Sequence, residues 1–102
     1  MDDPNQIEVP VSFTALFTSR AGRLTEPMAT VRVRYELCED LAQLLTEQAA
    51  TLQFKSGQSE AEVLRAIRLG LSGNEGPVSP AEAGWAVRRL AELLGWEDPG
   101  PG

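Results

Sequence analysis

Histidine is absent from this chain, lysine occurs once (Lys55) and cysteine once (Cys38). Without histidine the chain lacks the commonest general base, the usual activating partner of serine and cysteine nucleophiles, and the main ligand of most zinc sites. A lone cysteine excludes an internal disulfide, and a reducing cytoplasm fits that composition. Glu39 and Asp40 directly follow Cys38 and disfavour a thiolate, so the residue reads as a small core side chain in preference to a redox-sensing or modified thiol. The single lysine precedes Ser56-Gly57 at a predicted helix end, and no glycine-rich loop with a lysine poised over a bound phosphate is present.

Long apolar runs are missing too. None approaches the roughly 18 residues that a membrane-spanning helix needs, and the first residues lack the basic-then-apolar pattern of a secretory signal, so no membrane association is expected. Positive charge is scarce: nine basic against fifteen acidic residues leave a net charge of -6, which works against phosphate backbones and anionic lipid. Nucleic acid is therefore a disfavoured partner. Arg20, Arg23, Arg32 and Arg34 gather what basic charge there is near one end, but they lack the interleaved aromatics of a single-strand binding surface. They read as a solvated loop, with contact to an acidic partner or to another copy of the chain as the functional alternative.

What is present specifies helices. An apolar fraction of 42% over 102 residues, with no break in composition, predicts one core and one domain over residues 7–97, flanked by flexible segments 1–6 and 98–102 rich in Asp, Pro and Gly. Ser79-Pro80-Ala81-Glu82 places a capping serine, a proline at the first helical position and a glutamate three residues after the cap, which predicts a helix from there to Gly95. Ala83, Ala86, Val87, Leu90, Leu93 and Leu94 form its apolar stripe. Ser59 and Glu62 repeat the capping signal ahead of Val63, Leu64, Ile67 and Leu71, with Gly73 as the stop. The short connection between the two helices predicts an antiparallel helical hairpin.

A third helix is predicted from about residue 37 to residue 54, with Leu37, Leu41, Leu44, Leu45, Gln48 and Leu52 on one face. Its start is ambiguous. Residues 29–35 (ATVRVRY) alternate apolar and polar with β-branched valines, a strand pattern. The same stretch also reads as the front of one long helix, since Thr25-Glu26-Pro27 is a start signal, Val31, Tyr35, Cys38, Ala42 and Leu45 continue a helical stripe, and Arg32 and Glu36 form an i,i+4 pair. Residues 7–18 share the ambiguity between an alternating strand and a short helix opening at Pro10. The predicted fold class is mainly α, a small bundle of three helices whose N-terminal segment is either a short helix or extended arm, or a β-hairpin (ββααα, alternatively α+β).

Residues 84–96 (GWAVRRLAELLGW), 35–42 (YELCEDLA) and 11–17 (VSFTALF) together resemble a family of short uncharacterised proteobacterial proteins sometimes labelled "ATPase with chaperone activity". The resemblance implies a small bacterial protein but no mechanism. In that family the region matching residues 29–34 holds better helix formers, which favours the long helix, although the valines here depart from that pattern. The missing phosphate loop leaves the ATPase label without residues to support it.

Glu36, Glu39 and Asp40 read as a solvated helical face or a favourable acidic first turn in preference to a metal or acid-base cluster. No catalytic residue, metal ligand or cofactor is expected. The last helix carries Trp85, Arg88, Arg89, Glu92 and Trp96 on a strip beside its apolar stripe. One reading gives the tryptophans to the edge of the core and to the glycine cap. The other makes the strip a docking site for a protein partner or a second copy, with Trp and Arg as the favoured anchors. The expected function is thus a small cytoplasmic protein-protein interaction module, an adaptor or self-associating protein. The alternatives are a helix-turn-helix-like nucleic-acid binder and, weaker still, an enzyme with an unrecognised site.

Overall fold

The computed structural model describes residues 8–97; segments 1–6 and 98–102, expected to be flexible, lie outside them. Among the described residues 71% are helical, and the elements are α1 (Val11–Thr14), a 3-10 turn (Ala15–Phe17), α2 (Met28–Ser56), α3 (Glu60–Ser72) and α4 (Pro80–Leu94). The mainly α class holds. The β-hairpin alternative does not form: the only trace of pairing among the described residues is an isolated antiparallel bridge between Thr18 and Leu24.

The chain divides into two units, Met1–Leu37 and Cys38–Gly102, with the division falling inside α2. In the first, Pro10 opens α1 with its carbonyl accepting the N–H groups of Phe13 and Thr14, both at 3.0 Å. Phe13 is fully buried, with its ring 5.6 Å from those of Phe17 and Tyr35, tilted against the first and edge-on to the second. Such offset geometries are the favoured ones for aromatic pairs. After the 3-10 turn the backbone doubles back. Ser19 N–H donates to Arg23 O at 2.7 Å and Thr25 N–H to Phe17 O at 2.7 Å, while Gly22 supplies the left-handed φ of 84° that the bend requires. Arg20 and Arg23 are exposed on this tip, as expected of a solvated loop.

Residues 29–35 are helical, and the two valines show why. A strand places residues two apart on one face, whereas a helix sets them about 200° apart. Val31 is 0% exposed and Val33 63%. The β-branched penalty in a helix is only a few tenths of a kcal/mol per residue, and a lone two-stranded hairpin is marginal in water, so continuation of a strong helix wins.

In the second unit α2 ends at Ser56, where Gly57 takes φ 72° and donates its N–H to Gln53 O at 3.1 Å. Ser59 then caps α3, its hydroxyl oxygen accepting Glu62 N–H at 3.1 Å and its hydroxyl donating to the Glu62 carboxylate at 3.1 Å. Val63, Leu64 and Leu71 are buried, and α3 packs against α4. Their link is tight: Gly76 N–H donates to Gly73 O at 2.8 Å, and a Cβ at Gly76 would lie 2.1 Å from Leu71 O, so only glycine fits. The capping box of α4 is complete, with Ser79 N–H donating to Glu82 Oε1 at 2.9 Å and Glu82 N–H to Ser79 Oγ at 3.2 Å. At the other end Gly95 is left-handed, Trp96 N–H donates to Ala91 O at 2.8 Å and Gly95 N–H to Glu92 O at 3.2 Å, the paired bonds of a Schellman motif. Ala83, Ala86, Val87 and Leu90 are buried as expected, joined by Trp85 and Ala91, whereas Leu93 and Leu94 are half-buried.

Candidate functional site

The strip on α4 is largely committed to the fold. Trp85 is only 8% exposed and belongs to the core. Trp96 is half-buried, its backbone held by the glycine cap. Arg89 is taken up by a clamp: its Nε donates to both oxygens of Glu39 on α2, at 2.9 and 3.3 Å, and its Nη1 donates to Glu92 Oε1 at 3.2 Å. Gln43 Nε2 adds a bond to Glu39 Oε2 at 2.8 Å. Burial pushes the Glu39 carboxyl up, but the hydrogen bonds from Arg89 and Gln43 and the Arg89 charge outweigh it and hold the group below the ordinary carboxylate range. The bonds to Glu39 and Glu92 raise the Arg89 guanidinium in turn. Of the five strip residues, Arg88 and Glu92 are exposed, so the geometry offers no open patch centred on tryptophan there.

Glu39 is bound to Arg89, Asp40 is exposed, and among the described residues no group of three His, Cys, Asp or Glu side chains is placed to hold a metal ion. Cys38 is fully buried. Among the same residues no helix is long and apolar enough to cross a membrane.

The surface that stands out lies on α2. Along α2 the side chains turned inward are Val31, Cys38, Ala42 and Ala49, all 1% exposed or less. This is the stripe that the long-helix reading traced through Val31, Cys38 and Ala42. The leucine row lies to one side of that stripe: Leu44 is 75% exposed and Leu52 38%, with Leu37, Leu41 and Leu45 half-buried and Gln48 exposed. Its C-terminal half forms a shallow, open groove lined by Leu44, Glu47, Gln48, Thr51, Leu52 and Lys55. Phe54, two residues after Leu52 and on another face of the helix, is 86% exposed. These residues share one face as expected, and that face runs from half-buried to exposed. Apolar residues occupy two faces of α2, and hydrophobic periodicity gives the spacing of a stripe without its direction.

No protein-family model, curated protein or solved structure matches this chain.

Proposed function

We propose that the chain is a small protein-protein interaction module, an adaptor or self-associating protein of the cytoplasm, that docks through the leucine row of α2. One observation carries this reading: α2 buries a cysteine and two alanines while leaving Leu44 and Phe54 largely exposed. Exposing the larger side chains of a helix and burying the smaller forfeits burial energy at about 25 cal/mol per Å² of apolar surface, and contiguous exposed apolar surface marks interaction sites. Relative to the expectation from sequence, the surface moves from the last helix to α2, because Trp85 is in the core and Arg89 is engaged with Glu39.

Against a nucleic-acid role stand the net charge of -6 and the position of Glu82. It lies in the first turn of α4, the part of a recognition helix that would meet base edges, and its carboxylate accepts the Ser79 N–H. An enzymatic role gains no residue from the site, and the resemblance to proteins labelled as chaperone-related ATPases supplies no mechanism.

The test replaces Leu44 and Leu52 together by glutamate. Both are exposed, so the fold should survive, as circular dichroism would show. Loss of the proteins retained in a pull-down, or of self-association, is the expected result. An unchanged pull-down profile together with an unchanged oligomeric state would sink the proposal.

A further inference from the structure

We infer that residues 8–27 form a strap that opens as one piece by local unfolding, uncovering the front of α2 while the second unit stays folded. Among the described residues of this segment only Phe13 is buried, and every residue from Thr18 to Ala29 is exposed. Fixing the segment costs backbone entropy at each residue, and what offsets that cost is the burial of one aromatic side chain and the contacts of its ring. Few buried apolar contacts and a solvent-exposed backbone place a segment at the low end of the local stabilities within a fold.

Its own hydrogen bonds explain why it moves as a unit. The N–H groups of Phe13 and Thr14 donate to Pro10 O, Ser19 N–H to Arg23 O and Thr25 N–H to Phe17 O. The Thr14 hydroxyl adds a bond to Pro10 O at 3.2 Å, the Thr18 hydroxyl to Thr14 O at 2.9 Å and the Thr25 hydroxyl to Phe17 O at 3.2 Å. Each of these bonds closes inside the segment and braces it without fastening it to α2. The fastening is aromatic: the Phe13 ring lies 5.6 Å from both Phe17 and Tyr35, and of the three only Tyr35 is on α2. Pro27 O, which accepts Val31 N–H at 3.1 Å, belongs to the start of the helix and marks the hinge.

Release of Phe13 exposes the helix face that carries Tyr35 and, one turn before it, the fully buried Val31. The other buried side chains among the described residues lie in the second unit, so α3, α4 and the C-terminal half of α2 keep their packing when the strap is open. The closed strap thereby withholds an apolar patch separate from the leucine row, and the two states differ in what α2 shows at its front.

Native-state hydrogen exchange of the full chain, followed amide by amide by NMR at low urea, tests this. The amides of Phe13, Thr14, Ser19 and Thr25 are expected to be protected and to exchange through one common opening. That opening should be at least about 100-fold more populated than the one releasing the slowest amides of α3 and α4. Gly22→Val sets a β-branched residue at φ 84° on the exposed tip, where a Cβ meets nothing within 4 Å, so it acts through the backbone alone. It should raise the common opening about tenfold at all four amides and leave α3 and α4 unchanged. Phe13→Ala should abolish protection of the strap, with α3 and α4 within about twofold of the wild type.

Strap amides that exchange only with α3 and α4, in global unfolding, overturn the inference. So do strap amides without protection in the wild type, since nothing would then be held closed. A Gly22→Val effect that stops short of Phe13 and Thr14 overturns the one-piece opening, and one that spreads equally into α3 and α4 overturns the independence of the second unit.

Discussion

Arg89 and Glu39, 50 residues apart in sequence, meet with Nε and Oε1 at 2.9 Å, and this contact ties α4 to α2 within the second unit. Neither residue is fully buried: the Arg89 side chain is 34% exposed and that of Glu39 20%. Water therefore screens the pair, and its contribution stays at about 1 kcal/mol or below. The direction of the Glu39 shift makes that contribution pH-dependent. A carboxyl lowered in the folded state stabilises the fold above its unfolded value, near 4.5, and the benefit is lost as pH falls through the lower folded value. Urea denaturation of wild type and Glu39→Gln should differ at neutral pH, and the difference should close progressively below about pH 4.5. A gap that stays constant into strong acid would show that the carboxylate charge is not its source.

The two serine caps should not be equivalent. At Ser79 both halves of the box are made, and Glu82 is buried, whereas the Ser59 hydroxyl accepts the Glu62 N–H and donates to its carboxylate at an exposed position. Ser79→Ala is expected to cost about 1–2 kcal/mol and Ser59→Ala about 0.5–1 kcal/mol in chemical denaturation. Equal losses would mean that the more buried setting of the Ser79 cap adds nothing measurable.

Glycines separate in the same way. Gly76→Ala forces a Cβ against the Leu71 carbonyl and should destabilise by at least about 2 kcal/mol. Gly84 and Gly70 lie within α4 and α3, and a Cβ there meets nothing within 4 Å. Each change to alanine should stabilise by about 0.5–1 kcal/mol, read as a rise in Tm, because glycine loses more backbone freedom on folding than alanine.

Val31→Ala removes a fully buried side chain and should cost about 1–3 kcal/mol, whereas Val33→Ala, at an exposed helical position, should be neutral or slightly stabilising. A strand over residues 29–35 would make both substitutions costly or both harmless. The pair thus tests the helical assignment with two thermal melts.

Local chemistry was legible in the sequence, and long-range choices were not. The caps at Ser59 and Ser79, the glycine stop at Gly95 and the loop tip around Gly22 are each written within a few residues, and each forms as read. The direction of α2 was not legible, since leucines on one side and Val31, Cys38, Ala42 and Ala49 on the other both satisfy a helical period. Only the tertiary arrangement decides which side is covered. Arg89 read as a spare surface cation because nothing near it in sequence announces Glu39. Trp85 read either as a cover for the edge of the core or as a docking anchor, and its burial decides for the core.

The inward side of α2 below the division between the units presents a thiol at residue 38 and single methyl groups at 42 and 49. There is little there to trim, so damage on that side comes from enlargement, as an alanine-to-leucine change would produce by overpacking. On the outer side Leu44 can be exchanged for a polar residue with little structural penalty. The two sides of this helix thus answer differently to substitution, the covered one to added bulk and the exposed one hardly at all.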